Sequence, residues 1–228
     1  MGIALLWKPR GVLSQQALYL FKKEHLDFEK KSGKSQIGHT GTLDPFAEGL
    51  LLVAWLEGTK LLYPLQGLEK TYIVGMRFGE SSDTLDGTGK VQVAPQVVQE
   101  SLLKKSNGEW QKSGFFETFL ASKIGHFEQV PPAFSAIHVD GRRAYDLARE
   151  GKTVELKARP AEILSAKHIS FDSKNLEWLF EVKVSSGTYI RSLARDWGEE
   201  LCGFPGRLET LVRTAIGEFR MNGETSYK

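Results

Sequence analysis

The sequence predicts an α+β fold built on a mixed, mostly antiparallel, curved sheet, and three observations carry that expectation. An unbroken apolar run from Leu50 to Leu56 reads as a fully buried strand. Strand patterns recur at Ile3 to Trp7, Lys70 to Gly79, Ala161 to Phe171 and Leu176 to Val184, the last two joined only by Asp172-Ser173-Lys174-Asn175. Helical stretches, from Gln15 to about Lys31 and from Thr188 to near Cys202, supply covering layers. At 228 residues with 41% hydrophobic content, the chain can bury one substantial core or two small ones.

In chain order, Ile3 to Trp7 is a short strand stopped by Lys8-Pro9-Arg10-Gly11, and Ser14 is placed to cap the helix that follows. That helix carries Leu18, Phe21 and Leu26 near one face and lysines on the other. Gly33-Lys34-Ser35 looks like the end of a phosphate-binding loop, but that motif needs a glycine five residues earlier, where Phe28 stands, and a strand in front rather than a helix. Nucleotide binding through it is rejected. Gly38 to Gly49 has the composition of a tight loop leading into the buried strand. Glu57-Gly58-Thr59 breaks the apolar run, and Thr59 can cap a short helix through Leu62 that ends near Pro64. Lys70 to Gly79 alternates as a strand does, Ser81 to Gly87 is rich in turn formers, and Val91 to Asn107 is loosely helical. Asp140-Gly141 is a hairpin turn signal. Arg143 to Glu150 then reads as a helix closed by Gly151, and Arg159-Pro160 ends the excursion. Thr188 is placed to cap the later helix, and Leu208 to Phe219 reads as a closing strand.

The most informative stretch is Gly38-His39-Thr40-Gly41-Thr42-Leu43-Asp44-Pro45. Its glycines, threonines and proline forbid a helix. A loop closing onto a buried strand is held rigidly, so the carboxylate of Asp44 points in one fixed direction. Taken alone, Asp44 would be a turn former capping nearby amides, and His39 a packed or solvated histidine. Composition narrows the field less. A net charge of +2 argues for no acidic partner by itself, so a nucleic acid would need the basic residues gathered on one face. The single cysteine, Cys202, forbids an internal disulfide or a cysteine-rich zinc cluster and fits a cytoplasmic protein. The N-terminal Met1 to Pro9 has no charged region ahead of its short apolar run, and no run approaches membrane-spanning length.

Five ordered segments, read together, resemble the TruB family of tRNA pseudouridine synthases. They are Lys8-Pro9-Arg10-Gly11, the Gly38 to Gly49 string, Lys70-Thr71-Tyr72 with Asp83-Thr84-Leu85-Asp86, Gly187-Thr188-Tyr189-Ile190-Arg191, and the closing strand with Leu211. The resemblance implies the pseudouridine synthase fold, its curved sheet flanked by helices, with an inserted thumb of hairpin and helix at about 125–160. It implies that Asp44 is the nucleophile, that Arg191 pairs with it, and that Tyr72 stacks on uracil near the proton leaving C5. His39 takes the place of the flipped base, and Tyr72, Tyr189 and Leu211 wall the pocket. Lys8-Pro9-x-Gly11 supports the catalytic loop. In the family the thumb clamps the T arm of tRNA, which makes Arg142, Arg143, Arg149 and Lys152 the candidate phosphate contacts here.

The implied substrate is the T-loop uridine at position 55. Turning a uracil from an N1 to a C5 linkage involves no redox change and no group gained or lost, so no metal and no cofactor is required. Three positions depart from the family pattern: Phe134 stands for tyrosine, His138 for lysine and Val212 for arginine. Family members commonly carry a C-terminal PUA domain, and little chain follows Phe219. A catalytic domain over 1–228 without that domain, acting as a monomer, is therefore expected. Two other readings compete: a non-catalytic factor that binds and refolds tRNA, and, far behind, a phosphate-binding hydrolase.

Overall fold

The computed structural model describes residues 2–25, 37–139 and 141–220. In chain order its elements begin with β1 (Gly2–Lys8), α1 (Ser14–His25), β2 (Ile37–Thr40) and β3 (Glu48–Trp55). A 3-10 turn, Leu56–Leu61, leads to α2 (Leu62–Gln66), β4 (Lys70–Arg77), β5 (Glu80–Ser82), β6 (Val91–Val93) and α3 (Gln96–Asn107). Then come the 3-10 turn Glu109–Gln111, α4 (Phe115–Ser122), β7 (Gly125–Gln129), β8 (His138–Val139), β9 (Arg142–Arg143) and α5 (Ala144–Arg149). The chain continues through β10 (Arg159–Asp172), β11 (Glu177–Val184), α6 (Ile190–Cys202), β12 (Arg207–Ile216) and β13 (Phe219–Arg220). It divides into two compact units, Met1–Ile73 with Leu211–Lys228, and Val74–Thr210. Strands β4 and β12 run through both.

The first unit is organised by β3. Residues Leu50 to Ala54 are at most 1% exposed, so both faces of the strand are covered, as the unbroken apolar run demands. Antiparallel β1 occupies one whole edge, from Gly2↔Trp55 to Lys8↔Gly49. The other edge is shared. Antiparallel β2 covers its far end (Ile37↔Trp55 to Thr40↔Leu52), and β12 pairs in parallel with its start (Val212↔Glu48, Arg213↔Gly49). Asp44 lies on the connection between β2 and β3, where one partner gives way to the other. Leu50, Leu52 and Ile216 form a core cluster with Leu5, Leu65, Leu68 and Phe219 packed on it.

The second unit carries the ladder β4-β11-β10-β7. Strand β11 alternates cleanly, with Trp178, Phe180, Val182 and Val184 buried and the residues between them partly exposed. Trp178 stacks on Phe116 at 4.5 Å between centroids and lies 4.5 Å from Phe180 and 5.9 Å from Trp197. Phe78 and Trp110 extend the same aromatic core, 4.6 Å apart. β1 and β2 with β3, β7 and β11 with β10, β5 with β6, β8 with β9 and β12 with β13 pair antiparallel, and β3 with β12 in parallel, so the predicted mixed, mostly antiparallel sheet flanked by helices is present.

Several local expectations change. Gly38 to Thr40 is not loop but strand, because its backbone pairs with β3. Thr59 does not cap a helix; it sits inside the 3-10 turn and donates to Leu56 O at 2.7 Å. Helix α2 runs through Pro64 to Gln66, since proline is tolerated in a first turn. Thr188 is not the cap of α6 either: the cap position is Tyr189, with no side-chain cap bond, and the Thr188 hydroxyl pairs with Ser185 at 3.1 Å. Gly125–Gln129 and the start of β10 pair in the sheet, and the segment 130–158, where a thumb of about 125–160 is expected, runs between the directly paired Gln129 and Arg159. The predicted helix beyond His25, Gly33-Lys34-Ser35 and the Asp140 half of the hairpin turn lie outside the described residues. No helix among the described residues is long and apolar enough to cross a membrane.

Gly49 exposes a tight constraint in the first unit. Its φ is +123°, and a Cβ there would lie 2.3 Å from Arg213 O and 2.6 Å from Arg213 N. Gly49→Ala is expected to destabilise the protein by roughly 3 kcal/mol, from backbone strain plus overpacking. A urea unfolding midpoint equal to that of the wild type would contradict this close approach.

Candidate active site

Asp44 is partly exposed on a connection whose main chain is fixed residue by residue. On one side, the buried Ser14 hydroxyl joins Leu43 twice, donating to its carbonyl and accepting from its N–H, both at 3.0 Å. On the other, Gly11 N–H donates to Pro45 O at 2.8 Å. Lys8, fully buried, spreads its ammonium over Val12 O at 2.7 Å, Pro9 O at 3.0 Å and Pro45 O at 3.3 Å. Ala47 N–H closes a turn on Asp44 O at 3.1 Å. The Lys8-Pro9-x-Gly11 motif thus supports the loop as expected, through both of its end residues. Ser14 opens α1, but its hydroxyl is spent on Leu43.

Arg213 completes the frame from the other strand. At 1% exposure it donates from Nε to Leu50 O and from Nη2 to Gly41 O, each at 2.7 Å. Gly41 has φ +62°, and a Cβ there would stand 3.3 Å from Arg213 Nη1. Leu211, 6% exposed, lies two residues back on the same face of β12. Tyr72 is 8% exposed on β4, next to Thr71, whose carbonyl accepts from Thr214 Oγ1 at 3.4 Å. Burial, and secondarily the Arg213 charge, push the His39 imidazole below its ordinary value of 6.5, partly opposed by the Thr40 backbone. His39 is therefore neutral at pH 7, a flat, weakly polar ring. Burial also lowers Lys8 to about 8, against the charges of Asp44 and Glu48. It remains an ammonium at neutral pH, which matches its use of three N–H groups on three carbonyls.

Four of the six predicted pocket residues, His39, Asp44, Tyr72 and Leu211, belong to the first unit, and Tyr189 and Arg191 to the second. Arg191, 5% exposed, donates from Nη1 to Thr84 O and from Nη2 to Phe134 O, each at 2.9 Å. The Phe134 contact is through main chain, so phenylalanine in place of tyrosine leaves it intact. Asp196, further along the same helix, is paired with Arg195 Nε at 2.7 Å. The Thr84 carbonyl is steadied by Asp86, 4% exposed, whose Oδ1 accepts from Thr84 Oγ1 at 2.8 Å, Thr88 N at 2.8 Å and Thr88 Oγ1 at 2.6 Å.

The four candidate RNA contacts are gathered at the hairpin and α5, but they are already engaged. Arg142 forms a two-pronged pair with Glu150, and Lys152 Nζ lies 2.8 Å from the same carboxylate. Those hydrogen bonds hold the Glu150 carboxyl at about 2, well below its ordinary value. Arg143 donates to Ala136 O at 2.5 Å, and Arg149 lies over the Tyr145 ring at 5.3 Å.

Sequence reasoning missed the roles of Ser14, Arg213 and Asp86. For Arg213 a signal existed, since it falls in phase with the buried Leu211 and Ala215 on β12. An arginine on a core-facing register must be answered by buried acceptors.

Residues 29–190 match the family described as TruB family pseudouridylate synthase, N-terminal domain. The chain belongs to the TruB family. It is 40% identical over 215 residues to a protein of Rickettsia conorii named tRNA pseudouridine synthase B, covering 94% of this chain and 56% of that one. It is 36% identical over 234 residues to a Bacillus cytotoxicus protein of the same name, covering 100% of this chain and 69% of the relative. The chain thus spans a little over half the length of the Rickettsia relative. Among solved structures it resembles a chain of a Cbf5-Nop10-Gar1 complex, with TM-score 0.62 and 24% identity over 97% of this chain and 50% of that one. The likeness establishes the fold, that of a pseudouridine synthase.

Lys8→Met would take the ammonium donor from Pro9 O and Val12 O, while Pro45 O would keep Gly11 N–H. The substitution is expected to cost about 2–3 kcal/mol at pH 7. In the unfolded chain Lys8 titrates at its ordinary 10.5, and in the fold at about 8, so between those values the unfolded state binds the extra proton. The stability of the wild type relative to Lys8→Met therefore rises as pH goes from about 8 to about 10.5. Urea unfolding of both proteins at each end of that window measures this, and an advantage that shrinks would contradict it.

Proposed function

We propose that the chain isomerises the T-loop uridine of tRNA, position 55, to pseudouridine, with Asp44 as the nucleophile. The observation that carries this reading is the fixation of Asp44. Its neighbours are tied at Gly41, Leu43 and Pro45 by Arg213, Ser14 and Lys8, more than a turn-forming aspartate needs. A carboxylate held in one direction meets the requirement for covalent attack on the nucleoside, or for assisting glycal formation. The names of the Rickettsia and Bacillus relatives support the same substrate class.

In this reading the uridine leaves its stack at a cost of a few kcal/mol, and the neutral ring of His39 takes the vacated place. Tyr72, Tyr189 and Leu211 wall the flipped base, and Arg191 keeps Asp44 ionised. The N1–C1′ bond breaks, the base turns and bonds to C1′ through C5, the C5 proton is released and N1 takes up a proton, so the product is an isomer of the substrate. The protein's own residues supply all of these steps. The insertion grips the T arm through Arg142, Arg143, Arg149 and Lys152, and the enzyme works as a monomer in the cytoplasm.

Tritium release from C5-labelled uridine in an unmodified tRNA transcript tests the reading. Wild-type protein is expected to release it, Asp44→Asn to lose at least about 10³-fold in rate, and a transcript with its T-loop uridine replaced to release none. Salt-sensitive tRNA binding without any release would favour the non-catalytic tRNA-folding reading.

A second measurement addresses the insertion. Glu150 neutralises both Arg142 and Lys152, so Glu150→Gln should tighten tRNA binding. It should also steepen the dependence of log K on log salt by about one to two ion equivalents. An unchanged slope would mean that neither cation meets phosphate.

A further inference from the structure

The N-terminus of α6 presents a problem that the sequence does not announce. Its cap residue, Tyr189, has φ −95° and ψ 109° and no side-chain cap bond, although the first turn of any helix leaves donors to be satisfied. A residue 60 positions earlier answers it. Gln129 accepts from Tyr189 N–H at 2.8 Å through Oε1 and donates to Tyr189 O at 3.1 Å through Nε2. The side-chain amide thus pairs with a main-chain unit much as a neighbouring strand would. Gln129 is 2% exposed, so water does not compete for either bond.

Gln129 is itself fixed as the last residue of β7, opposite Arg159, where the insertion leaves the sheet. The next residues are tied to the same helix. Val130 O accepts from Ser192 Oγ at 2.9 Å and from Arg195 Nη2 at 3.0 Å, and Phe134 O accepts from Arg191 Nη2 at 2.9 Å. Pro131 and Pro132 stiffen the segment between them.

We infer that Gln129 is a positioning residue: by gripping both main-chain polar groups of Tyr189 it sets the first turn of α6, and so orients Tyr189 and Arg191 together with the root of the insertion. This rests on the isomerase reading above for its consequence, though not for its geometry. Gln129 touches no reacting atom in that reading. Its loss should appear in the chemical step rather than in tRNA affinity, because a small misplacement of an oriented group is costly to rate.

Two measurements on the full chain test it. In the first, without RNA, hydrogen exchange at the Tyr189 amide is compared between wild type, Gln129→Leu and Gln129→Glu. Gln129→Leu should exchange at least about tenfold faster. In the second, single-turnover conversion and tRNA binding are followed over pH. Gln129→Leu should lose about 10- to 100-fold in rate while its tRNA Kd stays within about threefold.

Gln129→Glu separates positioning from packing. A protonated carboxyl reproduces the donor and acceptor of the amide, whereas a carboxylate cannot donate to Tyr189 O. Burial raises such a carboxyl toward neutrality, so the rate of this variant relative to wild type should recover as pH falls from about 8.5 to about 6. If Gln129→Leu fails to fold, this recovery carries the test. Wild-type exchange at Tyr189 in both variants, a loss confined to tRNA Kd, or no recovery at low pH would overturn the inference. A wild-type protein that converts no uridine yet shows slow Tyr189 exchange, accelerated in Gln129→Leu, would sink the isomerase reading and leave the clamp standing.

Discussion

In the first unit, buried positive charge answered by main-chain carbonyls is the constraint on which the rest depends. Arg213 holds Gly41 O and Leu50 O, Lys8 holds Pro9 O, Val12 O and Pro45 O, and Lys70, 5% exposed, holds Gln66 O at 2.7 Å and Leu68 O at 2.6 Å. A cation without such partners could not stay in this interior. The converse also holds: a carbonyl bound to a buried cation loses its freedom to turn. The backbone between β2 and β3 is therefore oriented by groups that must themselves be satisfied, so neither side can relax without stranding the other. The shared edge of β3 creates the opening. Where β2 stops and β12 begins, the chain leaves the sheet between Thr40 and Glu48, and Asp44 lies midway along that connection.

The second unit solves a similar problem with carboxylates that fix the turn Arg191 reaches. The Asp83 to Thr88 turn is wound around the Asp86 carboxylate, and Asp83 Oδ1 accepts from the Thr84 and Lys90 amides at 2.9 Å each. The result is a carbonyl at Thr84 presented steadily to Arg191. Beneath it the aromatic packing around Trp178 gives β11 and α6 a stiff footing, with edge and stacked rings at spacings that favour such contacts. Polar fixation and aromatic packing are separate in sequence and converge on one helix.

Much of this was legible in the chain because it rests on periodicity. The run Leu50 to Ala54, the alternation in β11 and the closing strand β12 are one-dimensional patterns that burial enforces, and they appear where the sequence puts them. What failed was local capping. Ser14, Thr59 and Thr188 all have the hydroxyl that caps a helix, but a hydroxyl serves whichever partner folding brings within 3 Å. For Ser14 that partner is Leu43, 29 residues away. Gly38 to Thr40 looked like loop because glycine is a poor strand former, and pairing with β3 overrode that preference. The candidate site divided in the same way. Asp44 stands out as a candidate through its motif, whereas Gln129 and Asp86 make bonds whose other ends are set only by the fold.

The insertion begins and ends on one rung of the sheet, between Gln129 and Arg159. A segment rooted in this way can grow or shrink with little consequence for the strands that bear it, since each doubling of such a loop costs only about 0.6 kcal/mol. Residues 130–134 are exempt from that freedom, because the carbonyls at the two ends of this stretch, Val130 O and Phe134 O, are committed to α6. The arrangement is a fixed collar with a variable tip. Selection can therefore alter what the tip grips, in length, charge or shape, without reopening the packing beneath it.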